Sequence, residues 1–312
     1  MFTPSRMLRT GFALFVMLIT LPQVASFSTL RAAQHANHSE QTAMLDNQSI
    51  EAIIGRSGEM KDNVYKIGLP RTDLKIRAGG VDIKPALALG SWMAFKRMGD
   101  HTTVMGDLVL LESEINPVLA KLEENGIEIS AIHNHVIDEQ PRVMYMHFMG
   151  HGSEAKLAQA LKEALALSGT PMGPAPAAAP AASGHDWKPV QQALGIEGRE
   201  RGGVLQISVP RKERITMADG MEVPAFMGTG TAINFQPTDK GAAITGDFVM
   251  TATEVNAVIR ELKKAGIQIT ALHSHMLDES PRLFFMHFWA NDDAVKVARA
   301  LRAALEKTNS SL

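Results

Sequence analysis

The residues best equipped for chemistry lie in two blocks. One runs Ala131-Ile-His-Asn-His-Val-Ile-Asp-Glu-Gln-Pro-Arg142 and the other Ala271-Leu-His-Ser-His-Met-Leu-Asp-Glu-Ser-Pro-Arg282, and each is soon followed by Met-His-Phe. His133, His135 and His147, with His273, His275 and His287, are six of the chain's eleven histidines. Neutral imidazole is a ligand for Zn²⁺, and equally for Cu²⁺ or Fe²⁺. Side chains alternate along a strand, so His133 and His135 are expected on one face, about 6 to 7 Å apart. His147 faces His133 if the turn between them is centred near residue 140, whereas a turn centred near 138 slides it about four residues away. Three imidazoles, with Asp138, Glu139 or water completing the shell, describe one divalent ion per copy and up to two per chain.

The acids of the same blocks have two readings each. Glu139 and Glu279 are candidate acid-base groups beside a metal-bound water, as metal-assisted hydrolysis requires. They also read, with Asp138, Arg142, Asp278 and Arg282, as a turn in which Asp opens, Pro stiffens and Arg pairs with the acids. Glu114 and Glu254 read as helix caps. Asp107 and Asp247 each follow a glycine inside a strand and are either buried polar anchors or partners that orient an imidazole. Met144 and Met146 face Phe284 and Met286 in the second copy, so only one methionine recurs, which supports core packing over a copper site. For the histidines themselves three readings stand: a metal site, a site for a non-metal polar ligand, and a structural polar network. About two thirds of the residues aligned between the copies differ, yet all six histidines and both acid pairs are kept.

Those blocks are parts of a duplication. The offset of 140 (273 − 133) also matches Pro70-Arg71 to Pro210-Arg211, Gly106-Asp107 to Gly246-Asp247 and Gly126-Ile127 to Gly266-Ile267 without a gap. Residues 168–186, rich in Pro, Ala and Gly, read as an extended linker. The repeat domains are therefore expected at 45–167 and 187–309. In the second copy, two β-branched runs flank Pro237-Thr-Asp-Lys-Gly241 as a hairpin does. Thr251-Ala-Thr-Glu254 is a capping box, followed by Val255, Val258, Ile259 and Leu262 at helical spacing up to Gly266. An alternating strand through His273, an apolar run over Pro281–Trp289 and a final amphipathic helix complete the copy. The expected fold is α+β, with a ββαββα core in each copy, an antiparallel sheet and helices on one face. Its chain order places the His287 strand between the His273 strand and the strand before the first helix. Residues 50–89 and 190–229 show short strand signals, Val64–Leu69 and Val204–Val209, and no readable topology.

Lys plus Arg number 31 against 33 Asp plus Glu, so no basic excess exists to neutralise a nucleic-acid backbone. Arg6 and Arg9, the apolar run from Gly11 to Leu21 and the small residues Val24-Ala25-Ser26 form a secretory leader over residues 1–26. The run is about half the ~20 residues a membrane-spanning helix needs, and no later segment is long enough. The expected location is periplasmic or secreted, with an envelope ligand or small molecule as partner. The chain has no cysteine, so disulfides, thiolate metal sites and a lipidated N-terminal cysteine are excluded.

The two His-x-His…Asp-Glu-x-Pro-Arg blocks, each with its following Met-His-Phe, resemble the LppY/LpqO family of exported bacterial proteins over the whole mature chain. That resemblance implies a tandem domain of unknown function, and the missing cysteine departs from its lipoprotein members. His133-x-His135-x-x-x-Glu139 also resembles part of the first metal motif of cupins. The helix directly before it and the absence of a glycine after the acid depart from that pattern.

Overall fold

A computed structural model of the chain describes residues 44–174 and 184–312. The expected leader and the middle of the linker lie outside them. The first copy consists of α1 (Asn47–Ile54), β1 (Glu59–Lys61), β2 (Val64–Pro70), β3 (Ile76–Ala78), β4 (Val81–Ile83), α2 (Pro85–Ala88), β5 (Gly90–Met98), β6 (His101–Leu111), α3 (Ile115–Glu124), β7 (Glu128–His133), β8 (Val143–Gly152) and α4 (Glu154–Leu165). The second consists of α5 (Lys188–Leu194), β9 (Arg199–Arg201), β10 (Val204–Val209), β11 (Thr231–Thr238), β12 (Gly241–Thr251), α6 (Ala252–Lys264), β13 (Gln268–His273), β14 (Leu283–Asp292) and α7 (Ala294–Leu305).

Each copy forms a six-stranded antiparallel sheet, ordered β1-β2-β5-β6-β8-β7 in the first and β9-β10-β11-β12-β14-β13 in the second, and β3 and β4 of the first copy pair apart from it. The strands bearing His147 and His287 hold the interior positions expected for them. The ββαββα core is present in both copies, and β1, β2 and α1, like β9, β10 and α5, extend it in the region the sequence left open. Helix α6 follows its local code: Glu254 accepts the Thr251 N–H at 2.7 Å, and Val255, Val258 and Leu262 are buried. Past its last turn Gly266 takes φ +72°, which costs little without a Cβ.

The helices cover one face of each sheet. Ile50, Ile54, Val118, Leu122, Leu157 and Leu161 pack on Ile67, Leu108, Met146 and Phe148 in the first copy, and α5, α6 and α7 do the same in the second. The opposite faces meet one another, and their two apolar clusters draw on both copies. Ile76, Ile83, Leu87 and Tyr145 pack with Val204, Ala243 and Trp289, while Ile215, Met217, Met221 and Met227 pack with Val64, Ala94 and Met105. Residues 71–89 and 211–229 are thus arms laid across the other copy. Gln236 ties one arm down, donating to the Asp82 carbonyl at 2.8 Å and accepting the Lys84 N–H at 2.9 Å, and Gln206 donates to the Ala86 carbonyl at 2.8 Å. Each arm starts at a buried arginine. Arg71 pairs with Asp73 and Glu114 and donates to the Val109 carbonyl, and Arg211 repeats this with Glu213, Glu254 and Val249. Glu114 and Glu254 are therefore both helix caps and ion-pair partners.

A candidate metal centre between the two copies

His147 and His287 sit in the middle of β8 and β14, directly opposite Asp107 on β6 and Asp247 on β12. His133 and His273 end β7 and β13. His135 and His275 lie beyond those ends, so the expected alternation of His133 and His135 along one strand gives way to a strand residue and a loop residue. In the first copy the residue at the break is Asn134, whose side chain donates to the Val136 carbonyl at 2.9 Å and to the Thr270 carbonyl of the other copy at 3.0 Å; the second copy breaks at the same position, before Ser274. The pairing His133↔Tyr145 centres the turn at residue 139, (133 + 145)/2, between the two registers considered from sequence. His147 consequently faces Ala131 rather than His133.

The six histidines gather in one place instead of forming two separate triads. His133 and His273 stack with ring centroids 3.6 Å apart; His135 lies 3.8 Å from His287, and His147 lies 3.9 Å from His275. Under the 140-residue offset the last two contacts are the same contact with the copies exchanged, the signature of a two-fold arrangement. Loop bonds hold the halves in register: the Ser130 hydroxyl donates to the His275 carbonyl and the Thr270 hydroxyl to the His135 carbonyl, both at 2.6 Å. Tyr145 stacks on His135 at 3.3 Å and Phe285 on His275 at 3.5 Å, so the aromatic position that differs between copies walls both ends.

Four of the six rings are oriented alike. Toward the backbone, His133 Nδ1 meets the Asn134 carbonyl at 3.2 Å, His273 Nδ1 the Ser274 carbonyl at 3.2 Å, His275 Nδ1 the Gly228 carbonyl at 3.1 Å and His287 Nδ1 the Gly246 carbonyl at 2.8 Å. A proton on Nδ1 leaves the Nε2 lone pair free, the tautomer a metal-ligating histidine needs. All six Nε2 atoms, with Oδ1 of Asp107 and of Asp247, are buried and make no hydrogen bond. The carboxylates lie among them: Asp107 Oδ2 is 3.6 Å from His135 Nε2 and 4.0 Å from His147 Nε2. Asp247 Oδ2 is 3.0 Å from His275 Nε2, close but not aligned as a hydrogen bond, and its Oδ1 is 4.0 Å from His273 and His287. The glycines before these carboxylates, Gly106 and Gly246, serve close packing against the neighbouring strand and the core. A Cβ at Gly246 would fall 2.0 Å from the Ala232 carbonyl oxygen, and one at Gly106 2.3 Å from the Phe148 ring.

Burial dominates the electrostatics. It holds His133, His147 and His275 at about 3 and His273 at about 2, and His287 well below its ordinary value, with neighbouring imidazoles adding to the effect. The carboxylates are a coupled pair. Burial opposes the charge on Asp107, but His147, His135 and His133 pull it below the usual range; burial raises Asp247, and the charge on Asp107 adds to that rise.

Donor atoms within 4.8 Å of one another form the sets His133–His147–His273, His133–His135–His287 and Asp247–His273–His287. Two of these mix the copies, and the third lies within the second copy. The donors fit a divalent ion: they are nitrogen and oxygen, oriented and without other partners. Asp107 and Asp247, which the sequence left between anchor and orienting partner, stand at the imidazole Nε2 atoms themselves.

The turn residues lie elsewhere. Glu139 accepts the Val143 N–H at 3.4 Å and burial raises its pKa, while Glu279 accepts the Leu283 N–H at 2.8 Å and pairs with Arg282 at 3.1 Å. Among the described residues their hydrogen-bond and ion-pair partners are backbone and arginine rather than histidine. Asp138 takes φ +61° in the turn. Asp278 lines a surface cavity, and no hydrogen bond of Arg142 contributes to the cluster.

No helix among the described residues is long and apolar enough to cross a membrane. Among curated proteins none matches this sequence. Two solved structures overlap it weakly. A trimeric bacterial microcompartment shell protein, PduB, shares 13% identity over 81% of this chain and 91% of its own, with a TM-score of 0.22. EtuB from Clostridium kluyveri shares 9% over 80% and 90%, with a TM-score of 0.19. Neither overlap is close enough to bear on fold or function. One family model, by contrast, matches twice, over residues 48–167 and again over 188–307, and the chain belongs to the family it describes, Domain of Unknown Function (DUF1259).

Proposed function

We propose that this is an exported divalent-metal-binding protein whose two copies share one buried histidine-carboxylate centre. The observation that carries the reading is the set of eight buried donor atoms, six Nε2 and two Oδ1, without hydrogen-bond partners. A buried polar group left unsatisfied costs about 1–3 kcal/mol. An ion relieves that cost for each of these atoms that it takes as a ligand. Cross-copy ring separations of 3.6–3.9 Å leave no space for an organic ligand between the imidazoles, which favours an ion over a polar small molecule.

His133, His147, His273, His135, His287 and His275 would hold the metal, with Asp107 and Asp247 supplying charge. Zn²⁺ suits this set, and Cu²⁺ or Fe²⁺ can use the same imidazoles. Bound there, the metal would supply cross-linking of the two copies. Burial of every Nε2 favours a closed binding site over a hydrolytic one, which needs an open coordination position. Glu139 and Glu279 would then serve the turn rather than move protons. Export to the periplasm or medium is supported by the leader over residues 1–26 and by the resemblance to the LppY/LpqO proteins.

Elemental analysis of protein purified without chelators or a histidine tag is expected to find bound divalent metal, and chelation is expected to lower the melting temperature. Near-zero metal, with no thermal shift on adding Zn²⁺, Cu²⁺ or Fe²⁺, would overturn the reading.

A further inference from the structure

A second donor set lies outside the central cluster. His101 opens β6 and His151 lies near the end of β8, with ring centroids 5.9 Å apart; Asp219 comes from the second copy's arm. Donor atoms of the three fall within 4.8 Å of one another. Each histidine is already oriented. His101 Nδ1 is 3.0 Å from Asp100 Oδ1, and His151 Nδ1 is 3.0 Å from the Thr103 hydroxyl. Such outer contacts orient a ligating imidazole. Asp219 is held likewise: its Oδ1 accepts the Met221 N–H at 2.9 Å, and the turn closes through Gly220 N–H to the Met217 carbonyl at 2.9 Å. Beside this set is a cavity of about 210 Å³ whose lining includes His151, Asp219, Asp278 and Glu128, an acidic approach for a cation.

The offset of 140 sharpens the point. Position 101 corresponds to Gly241 (101 + 140), 151 to Asn291 (151 + 140) and 219 to Gly79 (219 − 140). None of the three donors recurs, so the fold alone does not demand them, and the two-fold-related location cannot bind. We infer that His101, His151 and Asp219 form a single exposed site for a divalent cation of the Zn²⁺ type. With water completing the shell, the ion would pin the second copy's arm to the first copy's sheet. The inference is independent of the central centre, with which it shares no ligand.

The test is isothermal titration of the full chain with Zn²⁺ after dialysis, beside the content of tightly held metal. The wild type is expected to take up one exchangeable equivalent beyond what dialysis leaves. His151→Asn and Asp219→Asn are each expected to weaken that uptake at least 10-fold while leaving tightly held metal unchanged. Hydrogen exchange over residues 213–223 is expected to slow with added Zn²⁺ in the wild type alone. No exchangeable equivalent in the wild type, or one that persists in both variants, would overturn the site whatever the central cluster holds.

Discussion

His133 and His273 occupy the same position in the two copies, and their imidazoles lie face to face, 3.6 Å apart and 15° from parallel. A residue that meets its own counterpart sits at the two-fold axis relating the copies. Two imidazolium rings at that distance would repel strongly, so the contact requires at least one of them neutral, as a metal ligand must be. The duplication therefore brings the histidines of both copies together, and His133 stands within ligand distance of donors from each.

Protonation should dismantle the metal-free fold. A histidine held at about 3 in the folded chain, against 6.5 unfolded, takes up its proton first in the unfolded chain. Stability is thus fully present above about pH 6.5 and declines as pH falls toward 3, by up to about 1.4 kcal/mol per pH unit for each such histidine. Chemical denaturation of chelated protein between pH 7.5 and 4.5 measures this. A flat profile would show that the rings are accessible to protons in the fold.

Glu279 should matter to folding and not to metal. Removing its carboxylate in Glu279→Ala leaves the buried Leu283 N–H without an acceptor, a loss of about 1–3 kcal/mol. Metal content is expected to stay at the wild-type level, and Glu139→Ala should behave alike through Val143. Metal lost in either variant at unchanged stability would place these acids in the ion's environment.

Cutting the linker within residues 168–186 should not separate the copies. Each arm buries apolar side chains on the other copy's sheet, and Gln206, Gln236, Asn134 and Thr270 bond across. The nicked chain is expected to elute as one species of unchanged size in size-exclusion chromatography. Two fragments eluting separately would contradict the interlocked packing.

Much of this was legible locally. The capping box of α6 and the interior place of β14 follow from residues within a few positions of one another, and the structure has both; β13 forms too, with a shift of register between Ile269 and Ala271 that interrupts its alternation. The end of β7 at His133 was not legible: β13 ends at the equivalent His273, before Ser274 in place of Asn134, so no shared residue type marks the position. The arms were unreadable because Ile76–Leu89 and Ile215–Met227 take part of their apolar partners from the other copy. The six histidines could be named from their repetition, but an offset of 140 fits two separate sites as well as one shared site. Only the packing of sheet on sheet chooses between them.

The most direct measurement is the metal content of His133→Ala/His135→Ala beside the wild type and the matching His273→Ala/His275→Ala variant, each checked for an intact fold by circular dichroism. His133 belongs to two of the three donor sets, and both of those include a histidine of the second copy. A shared centre predicts that either double substitution removes nearly all of the bound metal, with the untouched copy unable to keep its share. Retention of half the wild-type content in each variant would mean two independent sites, and would contradict the account.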